Sequence, residues 1–167
     1  MSKRKLKAYL ETLSKSELES QILELHDRLK EVKTFYAFVF NPKEDKMLDE
    51  VKFKISKEYF PIGKRKAKKR RSVAQKAIKE FIKLGVQTEI IADLMLYNIE
   101  IAQAYNREST INQEAFYQSM LKSFQEAVLF LSDNALYSDF KNRIDKIVDE
   151  TYAQEWINRS AFESTRL

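Results

Sequence analysis

Residues 88–106 read TEIIADLMLYNIEIAQAYN, and Ile90, Ile91, Leu94, Met95, Leu96, Tyr97, Ile99, Ile101 and Ala102 put apolar side chains nearly all round a helical wheel. A helix that is apolar on every side has to be surrounded by other elements rather than laid on a surface. Thr88 stands where an N-cap belongs, so the central and most buried helix is expected from Glu89 to about Asn106.

Helix signals extend from this segment in both directions. Just upstream, Ser72 with Gln75 reads as a capping box opening a helix over Val73 to Leu84, and Gly85 fits the left-handed position that closes it. Downstream, Thr110 with Gln113 opens a helix carrying Phe116, Met120, Phe124, Ala127, Val128 and Leu131, which Ser132-Asp133-Asn134 breaks. Phe140, Ile144, Ile147 and Val148 mark the next helix. The tail from Trp156 to Leu167 either docks Trp156 and Phe162 as a short helix or frays.

Toward the N-terminus, Leu48, Val51, Ile55 and Tyr59 define a helix from Glu44 to Tyr59, ended by Phe60-Pro61-Ile62-Gly63. Before it, two capping boxes, Ser14 with Glu17 and Ser16 with Glu19, announce one long helix. Its positions Leu18, Ile22, Leu25, Leu29, Val32, Tyr36 and Val39 step by four and three residues alternately, a heptad seam suited to a long packing partner. Asn41-Pro42 stops it, because proline lacks the amide hydrogen and pushes its predecessor out of the helical region. Leu6, Tyr9, Leu10 and Leu13 mark a short basic helix at the start.

The fold expected is therefore all-α: about six to seven helices in one domain over residues 1–167, forming a single bundle or a short α-solenoid-like stack of helical hairpins. The chain of 167 residues is 44% hydrophobic and has only 2 glycines and 2 prolines, as befits helices. A domain of this size buries roughly 70% of its unfolded surface. With no cysteine there is no disulfide, thiolate metal site or cysteine nucleophile, and no apolar leader or membrane-length run is visible, so a cytoplasmic location is expected.

The net charge of +5 conceals a polarity along the chain. Residues 1–84 carry 23 Lys and Arg against 12 Asp and Glu, a net +11; residues 85–167 carry 7 against 13, a net −6. Most of the excess is one run between two helices: Lys64, Arg65, Lys66, Lys68, Lys69, Arg70 and Arg71. Like charges repel, and cations just before a helix oppose its macrodipole, so the run is expected to meet an anion. Together with Ser72 at the head of the next helix, these residues form the candidate nucleic-acid or anion-binding set. The competing reading is a solvated loop partly paired with carboxylates of the acidic half. If all seven cations engaged duplex phosphates, log affinity would fall against log salt with a slope of about −6, at roughly 0.9 per contact. Tyr59 and Phe60 nearby either stack on bases or close the core.

Other constellations argue against enzymology. Asp93, Tyr97 and Glu100 share one stripe of the apolar helix and need partners there, Arg70 or Arg71 being candidates; a metal pair would also call for Glu-x-x-His motifs, and His26 is the sole histidine. Gly63-Lys64-Arg65 lacks a P-loop frame, and no Gly-x-Ser-x-Gly elbow occurs. Lys3, Arg4, Lys5 and Lys7 beside Tyr9 and Leu10 would allow a membrane-surface helix, but the segment is short, and no membrane role is expected.

Leu6-Lys7-Ala8-Tyr9-Leu10-Glu11-Thr12-Leu13-Ser14, Phe40-Asn41-Pro42-Lys43-Glu44-Asp45, Tyr59-Phe60-Pro61 and Ala92-Asp93-Leu94-Met95-Leu96-Tyr97 resemble a family of small bacterial all-helical proteins catalogued as a domain of unknown function. The resemblance covers most of the chain and implies a bacterial cytosolic protein, without an activity, cofactor or catalytic residue to carry over. The function expected is thus a non-enzymatic helical interaction module, without cofactor, whose basic loop contacts an anionic partner, nonspecific nucleic acid ahead of an acidic protein. The alternative is a structural or oligomeric scaffold whose basic and acidic halves neutralise each other, which leaves homo-oligomerisation open.

Overall fold

A computed structural model describes residues 2–167. Among them are nine helices and no strand: α1 (Lys3–Leu10), α2 (Lys15–Arg28), α3 (Lys30–Phe40), α4 (Glu44–Tyr59), α5 (Arg71–Leu84), α6 (Thr88–Glu108), α7 (Glu114–Asp133), α8 (Tyr137–Ala153) and α9 (Arg159–Glu163). The class is all-α as expected, with more helices than six or seven. The chain groups into two compact units, Met1–Lys43 and Glu44–Leu167.

In the first unit the Ser14 capping box forms: the Ser14 hydroxyl accepts from the Glu17 amide at 3.3 Å, and Glu17 Oε2 accepts from the Ser14 amide at 2.8 Å. The Ser16 box is left inside the helix. Gln21 donates to the Tyr9 hydroxyl at 2.7 Å, tying α1 to α2.

The long seam helix is not continuous. It divides into α2 and α3 at Leu29, which is extended at φ −116°, ψ 117°. No proline or glycine causes the break. The reason lies in burial: a straight amphipathic helix leaves its stripe in water, whereas the bend turns Ile22 and Leu25 of α2 toward Val32, Phe35 and Tyr36 of α3 across a groove. Even so, no residue of 2–43 is buried, and Phe40 is 82% exposed.

The second unit is built around α6, on which α4, α5, α7 and α8 all pack. That is a bundle with a central helix; a solenoid joins each hairpin only to its neighbours. Ala92, Leu94, Leu96, Ile99 and Ala102 of α6 are each 0% exposed. Of the capping residues expected here, neither Ser72, Thr88 nor Thr110 caps its helix. Helix α6 starts a residue early, with Gln87 at its N-cap and the Gln87 amide donating to Glu44 of α4 at 3.1 Å.

Three helices in this unit end alike. Gly85, Ala135 and Glu155 adopt positive φ, and the amides of Val86, Leu136 and Trp156 return to carbonyls five residues earlier. Each of those last three side chains is buried, the apolar contact typical of a Schellman end. The third such end turns the tail inward: Trp156 meets Phe116, Tyr117 and Phe162 edge-on, and Phe162 packs on Phe124 with ring centroids 4.9 Å apart. The indole N–H donates to Gln154 Oε1, which also accepts from Asn106 of α6. The tail therefore docks rather than frays.

Candidate anion-binding cleft

Helix α4 ends at Tyr59, and Pro61 prevents its continuation. The chain then makes a loop whose two ends meet. At its exit the Lys69 amide donates to the Glu58 carbonyl at 2.9 Å, with Lys69 in the left-handed region at φ 53°. Arg70 closes the neck with two parallel bonds, Nε to Glu58 Oε2 at 2.8 Å and Nη2 to Oε1 at 2.7 Å. Such a fork-to-carboxylate pair fixes orientation as well as charge. The Arg70 bond holds the Glu58 carboxyl below the usual carboxylate range, against a smaller opposing effect of burial.

Arg71 turns the other way. Its guanidinium is only 15% exposed and donates to Ser123 Oγ at 2.6 Å and to Glu126 Oε2 at 2.8 Å, both on α7. Pulled inward by these partners, Arg71 becomes the first residue of α5, which places Ser72 inside the first turn, exposed and not capping. The Val73 amide donates to the Arg70 carbonyl at 3.2 Å. Lys69 lies over the Tyr105 ring, 5.6 Å from its centroid.

The seven cations thus divide. Lys69, Arg70 and Arg71 hold the loop to the bundle, while Lys64, Arg65, Lys66 and Lys68 are exposed and meet no carboxylate at ion-pair distance among the described residues. Arg65, Lys66, Lys68 and Arg70 line a cleft of about 610 Å³, whose other wall carries Lys54 and Lys57 of α4. Glu58 is the one carboxylate in that lining, and Arg70 already occupies it. Lys54 and Lys57 lie outside the set expected from the sequence, although their three-residue spacing on a helix leading into the loop is a visible signal. Tyr59 belongs to the core, and Phe60, edge-on against Tyr105, lies outside the cleft lining.

The carboxylate stripe on α6 finds partners other than Arg70 and Arg71. Arg143 of α8 bridges it, donating Nε to Glu100 Oε1 and Nη1 to Asp93 Oδ1, each at 2.5 Å, and Nη2 to Glu100 Oε2 at 2.8 Å. Lys52 of α4 pairs with the second oxygen of Asp93 and lies 5.2 Å from the Tyr97 ring centroid. Burial pushes the Asp93 carboxyl up, but the Lys52 and Arg143 bonds outweigh it and hold the group below its ordinary value. His26 is half-exposed beside Asp27. Among the described residues no three His, Cys, Asp or Glu side chains gather as a metal site, and no helix is long and apolar enough to cross a membrane.

A family model described as a family of unknown function (DUF6155) matches residues 1–166. No curated protein and no solved structure matches the chain.

Proposed function

For a chain that belongs to DUF6155, we propose a non-enzymatic helical interaction module, cytosolic, whose Lys64–Arg71 loop binds an anionic partner through phosphate groups, with nonspecific nucleic acid foremost. One observation carries the reading: a loop pinned at its neck by Glu58 presents four cations without intramolecular partners, beside two more from α4. Holding the loop in place lowers the ordering entropy that binding would otherwise incur. The site offers charge and no base-reading element, so sequence preference is low.

The test is duplex DNA binding across a salt series. Four to six contacts, at roughly 0.9 each, give a log–log slope of about −4 to −5. Changing Lys64, Arg65, Lys66 and Lys68 together to glutamine removes most of that slope and of low-salt retention. Retention unchanged in this variant would discard the reading.

A second reading, a scaffold whose basic and acidic halves neutralise each other, is favoured by the Arg71–Glu126 and Lys52–Asp93 pairs, each of which joins the two halves. It expects Arg71→Gln to lower the melting temperature and the quadruple loop variant to leave both stability and DNA retention unchanged.

A further inference from the structure

Residues 15–40 hold an unresolved conflict between pattern and conformation. The heptad seam runs through the bend at Leu29 without losing step, yet Leu29 is extended there and α3 begins without a side-chain cap. Leucine and its neighbours Arg28 and Lys30 are good helix formers. In one continuous helix the leading amides of α3 would find carbonyls on the last turn of α2. The bend is therefore the conformation of a seam that has nothing else to cover it.

We infer that the cover is a second copy of this chain: α2 and α3 straighten into one helix over residues 15–40 that pairs antiparallel with its equivalent in a two-fold dimer. The seam is self-complementary in this sense. With the axis at Asp27, Leu18 lies opposite Tyr36 of the other copy, Ile22 opposite Val32, and Leu25 opposite Leu29, giving six successive layers that each join an a to a d position. The flanking charges agree with the same register, since Glu19 falls opposite Lys33 of the other copy on both sides of the axis. Arg28 meets its own equivalent near the axis, and each Arg28 is already bridged by Glu24 at 2.6 Å. A parallel pairing would instead set Arg28 against Lys33. The straightened helix is about 39 Å long at 1.5 Å per residue.

The absence of cysteine makes a decisive cross-link available. Ile22 and Val32 face each other across the groove of the bent monomer and again across the axis of the dimer, so Ile22→Cys/Val32→Cys in the full chain reports which exists in solution. Oxidation is expected to yield a covalent species of twice 19.8 kDa, reversed by reductant. An intramolecular disulfide in a 19.8 kDa monomer, or no cross-link, would overturn the inference. Light scattering on the unlinked protein supplies the second arm. Leu25→Glu/Leu29→Glu is expected to convert dimer to monomer with no change in the melting of residues 44–167. Glu19→Lys weakens the dimer at least tenfold, and Glu19→Lys/Lys33→Glu restores it. A wild-type chain monomeric up to about 100 µM refutes the pairing, and a double swap no better than the single one refutes the register.

Discussion

Arg143 is the side chain on which the polar part of the bundle depends, and Arg143→Met measures it. The guanidinium gives two bonds to Glu100 and two to Asp93, one of these to its backbone carbonyl. The three side chains are 24–33% exposed, between the surface and the interior. Removing one partner of a fully buried pair costs about 3–5 kcal/mol, and an exposed pair contributes about 0–1 kcal/mol. Lys52 still serves Asp93 in the variant, so the expected loss is about 2 kcal/mol, or about 6 °C in melting temperature for a unit of this size. The assay is thermal melting at neutral pH followed by circular dichroism. Two controls sharpen it. Arg143→Met/Glu100→Gln removes the carboxylate left without a partner, while Asp93 keeps Lys52, and recovers most of the loss. Because the Asp93 pKa is depressed, its contribution is present above about pH 4 and is lost as the pH falls through the folded value, so the Arg143→Met penalty shrinks in that same acid window. A drop under about 1 °C at low salt, or a double variant less stable than the single one, would refute the electrostatic account.

Glu58→Gln opens the neck of the basic loop: stability falls by about 1 kcal/mol, and trypsin cuts between Lys64 and Arg71 faster, since the bond that fixes Arg70 is weakened. An unchanged cleavage rate would show the loop is held by something other than this pair. At the Schellman ends, Gly85→Ala forces a side chain into φ +74° and is expected to cost about 1 kcal/mol although nothing crowds the added carbon. Ala135→Gly at φ 58° should change stability the other way, by up to about 1 kcal/mol; equal signs for the two would contradict a conformational origin.

What the sequence disclosed, and what it withheld, follows the range of the interactions. Helix α4 is found with the expected bounds, and the Ser14 box and Gly85 end form as read, because each is decided by residues within a turn of one another. The run from Lys64 to Arg71 was legible as surface charge, since no local pattern could bury so many cations. That Arg70 turns to Glu58 and Arg71 to α7 was not legible, because the partners lie 12 and 55 positions away and become neighbours only once the bundle forms. The same holds for Glu44 as the partner of the Gln87 amide at the head of α6, and for Arg143, rather than Arg70 or Arg71, between Asp93 and Glu100. The break at Leu29 lay beyond the pattern for the opposite reason: the periodicity is unbroken there, and no proline or glycine marks the position.

The inward turn at Glu155 has a consequence for biosynthesis. Phe116, Tyr117 and Phe124 emerge from the ribosome well before Trp156 and Phe162, the rings that complete their cluster. At about 5–20 residues per second the gap between Phe124 and Phe162 is roughly 2–8 s, long compared with helix formation. For that interval the nascent bundle carries an open aromatic hollow, and chaperone engagement or slow codons between those two positions would govern how much of the polypeptide reaches its native form.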